Sequence, residues 1–560
     1  MRKIFSVIIW LSGLQVMAQQ NPGCLVPSTP SQAPDYYCTW NLQGFVSGHT
    51  FGPGSNDFRA EMNEDNLFGT HKVYAENELK AIDGVEYRVD SRYQGWLNHF
   101  PSIRQDLMFV MDDSWDIPSN SNSKRPHGMN YDNEYLAILT IDPTRFPSFE
   151  GKDSERMTKL VDAVKEKGWK GLGGWICAQN PIELTKKYTG KQNTLENSKK
   201  WTPKQEEKYW KMRLKESQDA GFLYWKVDWG NKDRDDEFRR KLSQWGREVA
   251  PDVVIEHASF QDGGPHKPYY IDFSEVLRTY DVRPDLSQAQ TISRVAEVLG
   301  TGKAELENWG IINCEDEAYI AAGLGCAMGI MRHPYVGQLP NGKTDGVFEA
   351  GNRKMKNRLN EIVRAVRWHR IATPFSADGD FAISDETLYD SGEKNRYEAP
   401  GRVSRRMPLP EILGVDNFNE EKPYVLASLY DNECASVAVI NRLIDGDYKQ
   451  HKVDVRVQPK RWDRKVGVFG NYHSLTLDYQ NGLPSGKFKV FAQDLASDED
   501  PVEIPYLKTV DGKGIIISGT TIDDLCKNNK YAYSEVGHID ADYTDLSEPG
   551  IVLLVVAENK

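Results

Sequence analysis

The sequence predicts an α/β protein in which a (β/α)8 TIM barrel is followed by a C-terminal antiparallel β-sandwich. The chain has 560 residues, which is long enough for one large domain and a second, smaller one. Up to about residue 373, apolar runs typical of strands alternate with segments of helical periodicity. Beyond that point the pattern changes to short β-type runs separated by turn residues.

The barrel is predicted for residues 19–373. Its predicted strands are 107–111, 171–177, 222–227, 253–256, 276–279 and 309–312. Its predicted helices are 154–167, 203–219, 235–249, 287–299, 315–331 and 352–371. Repeated βα units of roughly 30 to 50 residues imply parallel strands joined by right-handed crossovers. No Gly-rich dinucleotide fingerprint follows an early strand, so a closed barrel is preferred over an open sheet.

The sandwich is predicted for residues 374–560. Its β-type runs are 424–429, 436–440, 452–457, 487–491, 514–517 and 550–556. Turn pairs such as Asn481-Gly482 and Asp511-Gly512 separate these runs. Short strands with such turns indicate an antiparallel architecture.

The first 18 residues are predicted to be a secretory signal peptide. Arg2 and Lys3 precede an apolar run over 4–14, and Ala18 ends a small-residue cleavage site. No later stretch approaches the roughly 20 apolar residues of a membrane-spanning helix. We therefore expect no membrane insertion, and export to the periplasm or cell surface of a bacterium.

The net charge of −13 argues against nucleic acid and anionic membrane surfaces as partners.

The seven cysteines include Cys24 and Cys38, which are close enough in sequence to pair in an oxidising compartment. Cys177, Cys314 and Cys326 lie in apolar runs and are expected to be buried thiols. No CxxC pair or His cluster has metal-ligand spacing, so we expect no metal and no other cofactor.

The most informative segment is Tyr224-Trp225-Lys226-Val227-Asp228-Trp229-Gly230, an apolar strand that ends in a carboxylate. Side chains alternate along a strand, so Lys226 and Asp228 point to the same face. A carboxylate at the C-terminal tip of a barrel strand, beside a cation that keeps it ionised, is how a glycosidase presents its nucleophile. A structural Lys–Asp pair at a strand end is the alternative.

Three other predicted strands also end in polar residues. Asp112-Asp113 is followed by Ser114-Trp115, so two acids can accept bonds from sugar hydroxyls and an indole can cover an apolar sugar face. A helix cap or turn is the alternative there. Glu256-His257 ends the predicted strand 253–256, or else is a surface Glu beside a satisfied His. Arg278 and Asp281 follow a later strand, and Asp281 can face Asp228 as the second carboxyl of a retaining pair.

At these residues the sequence resembles the α-galactosidases of glycoside hydrolase family 27. Asp112-Asp113-Ser114-Trp115 is similar to the family's Asp-Asp-x-Trp at the end of the first strand. Tyr224-Trp225-Lys226-Val227-Asp228 is similar to its Tyr-Leu-Lys-Tyr-Asp, and 278–282 resembles its Trp-Arg-x-x-x-Asp-Ile. Shorter similarities lie at Trp40-Asn41, at Phe146-Pro147 and over 168–173. The ordered set spans 40–371.

The resemblance implies a retaining mechanism with Asp228 as nucleophile and Asp281 as acid/base, with Asp285 as the competing acid. It also implies a substrate-binding set made of Asp112, Asp113, Trp115, Lys226, Trp229, Glu256 and Arg278. Two departures concern the sugar. The family's Asn-Cys after the nucleophile is here Trp229-Gly230, and its Cys-Glu-Trp is here Ile255-Glu256-His257. Residues 57–105 form an early insertion.

Three functions are compatible with this pattern. The first is an exo-acting α-D-galactosidase that acts on oligo- or polysaccharides. The second is a sister specificity such as β-L-arabinopyranosidase, whose sugar lacks the C6 hydroxymethyl, and Trp229 filling that space would favour it. The third is a catalytically inactive glycan-binding protein. Intact Lys226, Asp228 and Asp281 argue against the third, since a pure binder gains little from two adjacent acids.

Overall fold

The structure is a computed structural model that describes residues 22–40, 62–69, 79–82, 85–88, 95–112, 115–118, 136–258, 266–279, 288–306, 309–331, 358–391, 396–414, 422–527 and 546–558. Residues 79–82 and 85–88 are described by their backbone alone. The predicted signal peptide, Asp113, Asp281 and Asp285 lie outside these ranges. Among the residues described, no helix is long and apolar enough to cross a membrane.

Eight parallel strands form the barrel, as the sequence predicts. In chain order the strands of this region are β1 (Tyr36–Cys38), β2 (Leu79–Ile82), β3 (Val85–Arg88), β4 (Met108–Met111), β5 (Gly171–Ile176), β6 (Phe222–Val227), β7 (Val254–Ala258), β8 (Val276–Arg278), β9 (Ile311–Asn313) and β10 (Gly329–Ile330). An antiparallel hairpin of β2 and β3 lies outside the barrel sheet, whose order is β10-β1-β4-β5-β6-β7-β8-β9. A parallel bridge between Asn313 and Ala327 closes the two ends.

Helices connect successive strands. They are α1 (Glu64–Phe68), α2 (Asp153–Glu166), α3 (Thr185–Thr189), α4 (Leu195–Ser198), α5 (Pro203–Ala220), α6 (Asp236–Val249), α7 (Gln288–Thr301), α8 (Ala318–Leu324) and α9 (Leu359–His369). Short 3-10 turns occur at Trp96–Asn98, Arg104–Asp106 and Pro268–Phe273. The start of α5 follows from its sequence, because Thr202 caps the helix in a capping box with Gln205 and Pro203 occupies its first turn.

Two predictions for the barrel are wrong. The helix predicted over 315–331 is only Ala318–Leu324, and the strand β10 follows it. This segment is apolar and buried on every side, so its periodicity cannot separate helix from strand. The short strand β1 was not predicted, and the strand that ends in Asp112 is therefore the second of the barrel rather than the first.

The alternation of side chains along β6 decides what faces the barrel interior. The Tyr224 and Lys226 side chains bond with groups of other barrel strands, whereas the Trp225 ring contacts Trp210 of α5, with 6.1 Å between ring centroids. Asp228 follows the C-terminal end of β6 and continues the inward face. The fold therefore places Lys226 and Asp228 together at the C-terminal end of the barrel.

The C-terminal region contains two large sheets. The strands are β11 (Phe381–Ile383), β12 (Thr387–Ser391), β13 (Arg396–Pro400), β14 (Arg402–Arg405), β15 (Glu411–Leu413), β16 (Tyr424–Leu429), β17 (Ala435–Ile440), β18 (Arg442–Ile444), β19 (Asp447–Lys449), β20 (Val453–Val457), β21 (Val466–Phe469), β22 (Tyr472–Asp478), β23 (Phe488–Asp494), β24 (Val502–Glu503), β25 (Leu507–Lys508), β26 (Gly514–Ser518) and β27 (Gly550–Ala557), with helix α10 (Gly519–Cys526) before β27. One sheet has eight strands in the order β11-β14-β16-β17-β21-β27-β23-β24 and the other has five in the order β15-β20-β22-β26-β25.

The eight-stranded sheet is buried on both faces. Val425 and Val439 belong to a core shared with the five-stranded sheet, and this core makes the predicted sandwich. Leu426 and Ala438, which point the opposite way, belong to the core of the barrel. The pairing is mixed rather than purely antiparallel, since β14–β16, β17–β21 and β20–β22 are parallel pairs.

Helix α8 and helix α9 join the barrel to the eight-stranded sheet. Gly323 of α8 lies so close to β17 that a Cβ at this position would be 2.8 Å from the Cβ of Ala438. Arg364 of α9 forms a bidentate ion pair with Asp494 of β23, at 2.8 Å from Nε to Oδ1 and 2.9 Å from Nη2 to Oδ2. Both side chains are buried, so neither charge has water as an alternative partner.

We predict that Asp494→Asn lowers the thermal unfolding midpoint, because it leaves the buried Arg364 charge without its anionic partner. Loss of one member of a buried pair costs about 3–5 kcal/mol of unfolding free energy. Asp463→Asn is the control, since Asp463 pairs with an exposed Arg461 and its loss should not be measurable. Equal midpoints for Asp494→Asn and the wild type would contradict the prediction.

Candidate functional site

Asp228 lies at the centre of a buried cluster of charged and aromatic side chains. Its side chain is 5% exposed. The indole N–H of Trp175, on β5, donates to Asp228 Oδ2 at 3.0 Å. The other oxygen, Oδ1, is 3.1 Å from Arg278 Nη2, while Lys226 Nζ is 3.9 Å from Oδ2. Three strands of the barrel, β5, β6 and β8, thus each place one group against this carboxylate.

The surroundings of Asp228 favour its ionised form. Burial alone would raise the pKa of this carboxyl, but Arg278, Lys226 and the Trp175 hydrogen bond together hold the pKa below its usual value. The closest cation is Arg278, not the Lys226 that the sequence pattern suggests. Asp228 therefore carries a negative charge in a water-poor site.

Lys226 is bonded more closely to Asp112 than to Asp228. Its Nζ donates to Asp112 Oδ2 at 2.9 Å, and both side chains are buried. The thiol of Cys38, at the end of β1, donates to the same oxygen at 2.8 Å.

Cys38 is thus a free thiol within the barrel and does not pair with Cys24, which bonds to Gln493 of β23 instead. Cys177, Cys314 and Cys326 are buried thiols as predicted.

Arg278 is fully buried and, within the described part of the chain, faces three carboxylates. Besides Asp228, its Nε is 3.4 Å from Glu256 Oε1 and its Nη1 is 3.5 Å from Glu315 Oε1. The Tyr36 hydroxyl donates to Glu315 Oε1 at 2.9 Å. The same hydroxyl lies 3.4 Å from Glu256 Oε1. These contacts fix the guanidinium plane, so that one terminal nitrogen meets Asp228.

Glu256 is surrounded by donors. Its Oε2 accepts from the Tyr224 hydroxyl at 2.8 Å and from Asn313 Nδ2 at 2.6 Å. Burial raises the pKa of Glu256, although Arg278 and the Asn313 hydrogen bond oppose the rise. Both oxygens of Glu256 therefore contact protein groups, Oε2 by hydrogen bonds and Oε1 beside Tyr36 and Arg278. Glu256 thus holds Arg278 in place rather than presenting an open acceptor to a ligand.

Helix α6 supports the strand end that carries Asp228. Arg239 donates to the backbone oxygen of Asp228 at 2.8 Å and lies 3.0 Å from His257 Nδ1. Burial, together with the Arg239 charge, lowers the pKa of His257 well below its usual value, so the ring is neutral. Nδ1 must then accept from Arg239, and Nε2–H donates to Ser243 Oγ at 2.8 Å.

Two predicted binding residues, Trp115 and Trp229, have different surroundings. Trp115 is buried at 1% exposure, and its indole N–H donates to the Trp175 carbonyl at 2.8 Å. Its ring packs on the face of β5 at Gly174, so it belongs to the barrel wall and the expectation that it covers a sugar face does not fit. Trp229 is half-buried and its ring centroid lies 5.1 Å from that of Trp175.

The structure brings together Lys226, Asp228, Asp112, Glu256 and Arg278. Asp113, Asp281 and Asp285, which the sequence also predicts at this site, lie outside the described residues. Sequence reasoning missed Trp175, Tyr36, Asn313 and Glu315. Trp175 and Asn313 lie at or near strand ends, so the same strand-end rule could have found them. Tyr36 gave no such signal, because β1 is not predicted. Glu315 follows β9 but falls at the start of the helix predicted over 315–331, so the sequence pattern assigns it to that helix.

Two carboxylate oxygens of the cluster have no hydrogen bond within the described part of the chain. They are Asp112 Oδ1 and Asp228 Oδ1, and both atoms are buried. An ionised oxygen of this kind can accept a ligand hydroxyl or attack an electrophilic carbon. Searched over the same residues, no group of three or more His, Cys, Asp or Glu has the arrangement of a metal site.

No protein-family model matches the sequence. No curated protein matches it either. Solved structures that are similar include the GH27 β-L-arabinopyranosidase of Geobacillus stearothermophilus, at 11% identity and a TM-score of 0.32, covering 57% of this chain and 77% of that one.

Two further similar structures cover more of the chain. An α-amylase from Anoxybacillus has a TM-score of 0.41 at 11% identity, covering 94% of this chain and 98% of that one. The α-fucosidase of Thermotoga maritima has a TM-score of 0.26 at 9% identity, covering 82% and 78%. At these TM-scores and identities the similarities carry no argument about family or activity, which must be argued from the site.

Proposed function

We propose that this protein is a retaining exo-glycoside hydrolase that removes terminal α-D-galactose from oligo- or polysaccharides. The observation that carries the proposal is Asp228: an ionised carboxylate at the C-terminal end of a barrel strand, held by Arg278 and Trp175, with Oδ1 lacking a hydrogen bond among the described residues. This is the position and the charge state that a glycosidase nucleophile requires.

In the first step Asp228 Oδ1 attacks the anomeric carbon and forms a glycosyl–enzyme ester. The bond from that carbon to the leaving oxygen breaks, and the carboxyl proton of Asp281 passes to the leaving oxygen. Asp281 is assigned by its place in the sequence, after β8 and Arg278. Asp228 must be ionised at the start of this step, and the depressed pKa of its carboxyl supplies that form.

In the second step a water molecule replaces the aglycone. Asp281, now a carboxylate, takes a proton from this water while the water oxygen attacks the anomeric carbon. The ester bond to Asp228 breaks and the carboxylate is restored. Two inversions at one carbon give net retention of configuration.

Sugar hydroxyls are bound by the other groups of the cluster. Asp112 is oriented by Lys226 and Cys38 through Oδ2, which leaves Oδ1 to accept a hydroxyl. Asp113 would add a second acceptor beside it. Glu256 and Arg278 contribute by holding the charges in place, because their described contacts are with protein groups.

We predict that wild-type protein hydrolyses p-nitrophenyl α-D-galactopyranoside, and that Asp228→Ala abolishes the reaction because it removes the nucleophile. The same assay distinguishes the two candidate acids. Asp281→Ala should lower kcat by about 10²–10⁴-fold, the usual contribution of general acid–base catalysis, while Asp285→Ala should leave kcat close to that of the wild type.

Circular dichroism and thermal unfolding would show that each variant remains folded. Turnover by a folded Asp228→Ala preparation would contradict the assignment of the nucleophile. A folded wild type that binds galactosides without cleaving any glycoside of a broad panel would instead identify a glycan-binding protein.

Trp229 favours a second specificity, that of a β-L-arabinopyranosidase. The residue directly after Asp228 is a half-buried indole packed against Trp175. We infer that this indole fills the space in which a galactose ring would carry its C6 group. L-arabinopyranose has the same ring hydroxyls without that hydroxymethyl, so a bulky side chain there would exclude galactose and accept arabinose.

We predict that Trp229→Ala raises kcat/KM for the α-D-galactoside relative to the β-L-arabinopyranoside by about tenfold or more, the effect expected for one carbon group in a pocket. The measurement is the ratio of the two kcat/KM values, so that a general loss of activity cancels. An unchanged ratio would show that Trp229 does not contact the C6 position.

We also propose that the protein is exported and that residues 1–18 are removed, on the strength of Arg2, Lys3 and the apolar run over 4–14. N-terminal sequencing of the protein from fractionated cells is expected to begin at Gln19, in the periplasmic or surface fraction. A cytoplasmic protein that begins at Met1 would contradict export.

A further inference from the structure

We propose that Trp175 is a positioning residue that selects which oxygen of Asp228 reacts. The inference rests on the proposed function of Asp228 as a nucleophile. A carboxylate has two equivalent oxygens until its surroundings make them different. Here the Trp175 indole N–H bonds Oδ2 at 3.0 Å, whereas Oδ1 has no hydrogen bond among the described residues.

The Trp175 ring is held rigidly enough for this task. Trp175 is 1% exposed and pairs in register with Lys226 of β6. The Trp229 ring packs against the Trp175 ring at an interplanar angle of 59°. The backbone carbonyl of Trp175 accepts the indole N–H of Trp115, whose ring lies directly against the backbone at Gly174. A Cβ at Gly174 would be 3.0 Å from that ring, so a larger residue there would press on the ring.

The opposite side of the carboxylate is fixed by charge. Arg278 Nη2 lies 3.1 Å from Oδ1 without the geometry of a hydrogen bond, so it attracts this oxygen while leaving its lone pairs available. The indole and the guanidinium together prevent the carboxylate from rotating about its terminal torsion. The oxygen away from the indole is therefore the one that attacks the anomeric carbon.

Replacing Trp175 by phenylalanine removes one hydrogen bond to Asp228 and changes no charge. Among the described residues, the charged groups that act on Asp228 are Lys226 on β6, Arg278 on β8, Arg239 on α6 and Asp233 in the loop after β6. All of them remain in Trp175→Phe. A hydrogen bond to a carboxylate favours its ionised form, so its loss must raise the pKa of Asp228.

The experiment is the pH dependence of kcat/KM for wild type and Trp175→Phe, with whichever p-nitrophenyl glycoside the wild type cleaves. The acid limb of the profile reports the ionisation of the nucleophile in the free enzyme. We expect this limb to move to higher pH in Trp175→Phe, and kcat/KM on the plateau to fall by about tenfold to a hundredfold, the effect of a lost hydrogen bond to a charged group.

Trp225→Phe is the matched control. Trp225 lies on the adjacent strand, is fully buried, and donates its indole N–H to Ser217 Oγ at 3.2 Å, but it faces the helices. It should lose stability without any shift of the acid limb. Trp175→His retains a ring N–H near the position of the indole nitrogen. On the plateau, at a pH where the imidazole is uncharged, it should keep kcat/KM close to the wild-type value even if Trp175→Phe does not fold.

The outcomes separate the two proposals. If the wild type turns over, an unshifted acid limb in Trp175→Phe would overturn the role of Trp175 alone. So would a fall of about tenfold or more in the plateau kcat/KM of folded Trp175→His. A folded wild type that cleaves no glycoside would overturn the proposed function and this inference with it.

Discussion

The buried charge of Arg278 is the constraint on which the barrel interior depends. A guanidinium removed from water must be surrounded by anions and acceptors, and here Asp228, Glu256 and Glu315 surround it. Asp228 follows β6, Glu256 lies within the neighbouring strand β7, and Glu315 follows β9. Strand geometry and electrostatics are therefore coupled, because a displaced strand would separate the charges.

The same constraint explains the tyrosines and amides around the cluster. Tyr36 and Tyr224 donate to Glu315 and Glu256 respectively, and Asn313 donates to Glu256 from β9. Each donor satisfies an acceptor that would otherwise be buried and unpaired, at a cost of about 1–3 kcal/mol. The barrel floor is thus a network of hydrogen bonds and ion pairs, and among the described residues Asp228 Oδ1 above it has no hydrogen bond.

Much of this arrangement could be predicted from the sequence. Period-two alternation correctly placed Lys226 and Asp228 on one face of β6, because burial on the interior leaves a strand no choice of register. Strand ends located Asp112 and Arg278 for the same reason. Glu256 is not a strand end, because β7 continues to Ala258. Alternation along one strand cannot show which cation is nearest, and Arg278 of β8 rather than Lys226 is closest to Asp228.

The failures have physical causes as well. The segment 315–331 is buried on all sides, so a helix and a strand have the same apolar composition there. A three-residue strand such as β1 is too short to show any period. Trp115 looked like a binding residue because it follows two acids, but its indole contacts Gly174 and the Trp175 carbonyl behind the site. Composition at a strand end does not reveal the direction in which the chain turns afterwards.

The eight-stranded sheet has a consequence for how this protein can change over evolution. One face of that sheet, with Leu426 and Ala438, completes the core of the barrel, while the other completes the sandwich. Arg364 and Gly323 add a buried ion pair and a glycine-limited contact to the same boundary. A barrel without its C-terminal region would expose an apolar surface and an unpaired charge to water. The two regions must therefore be inherited, exchanged and lost together, and the sandwich cannot serve as an interchangeable module.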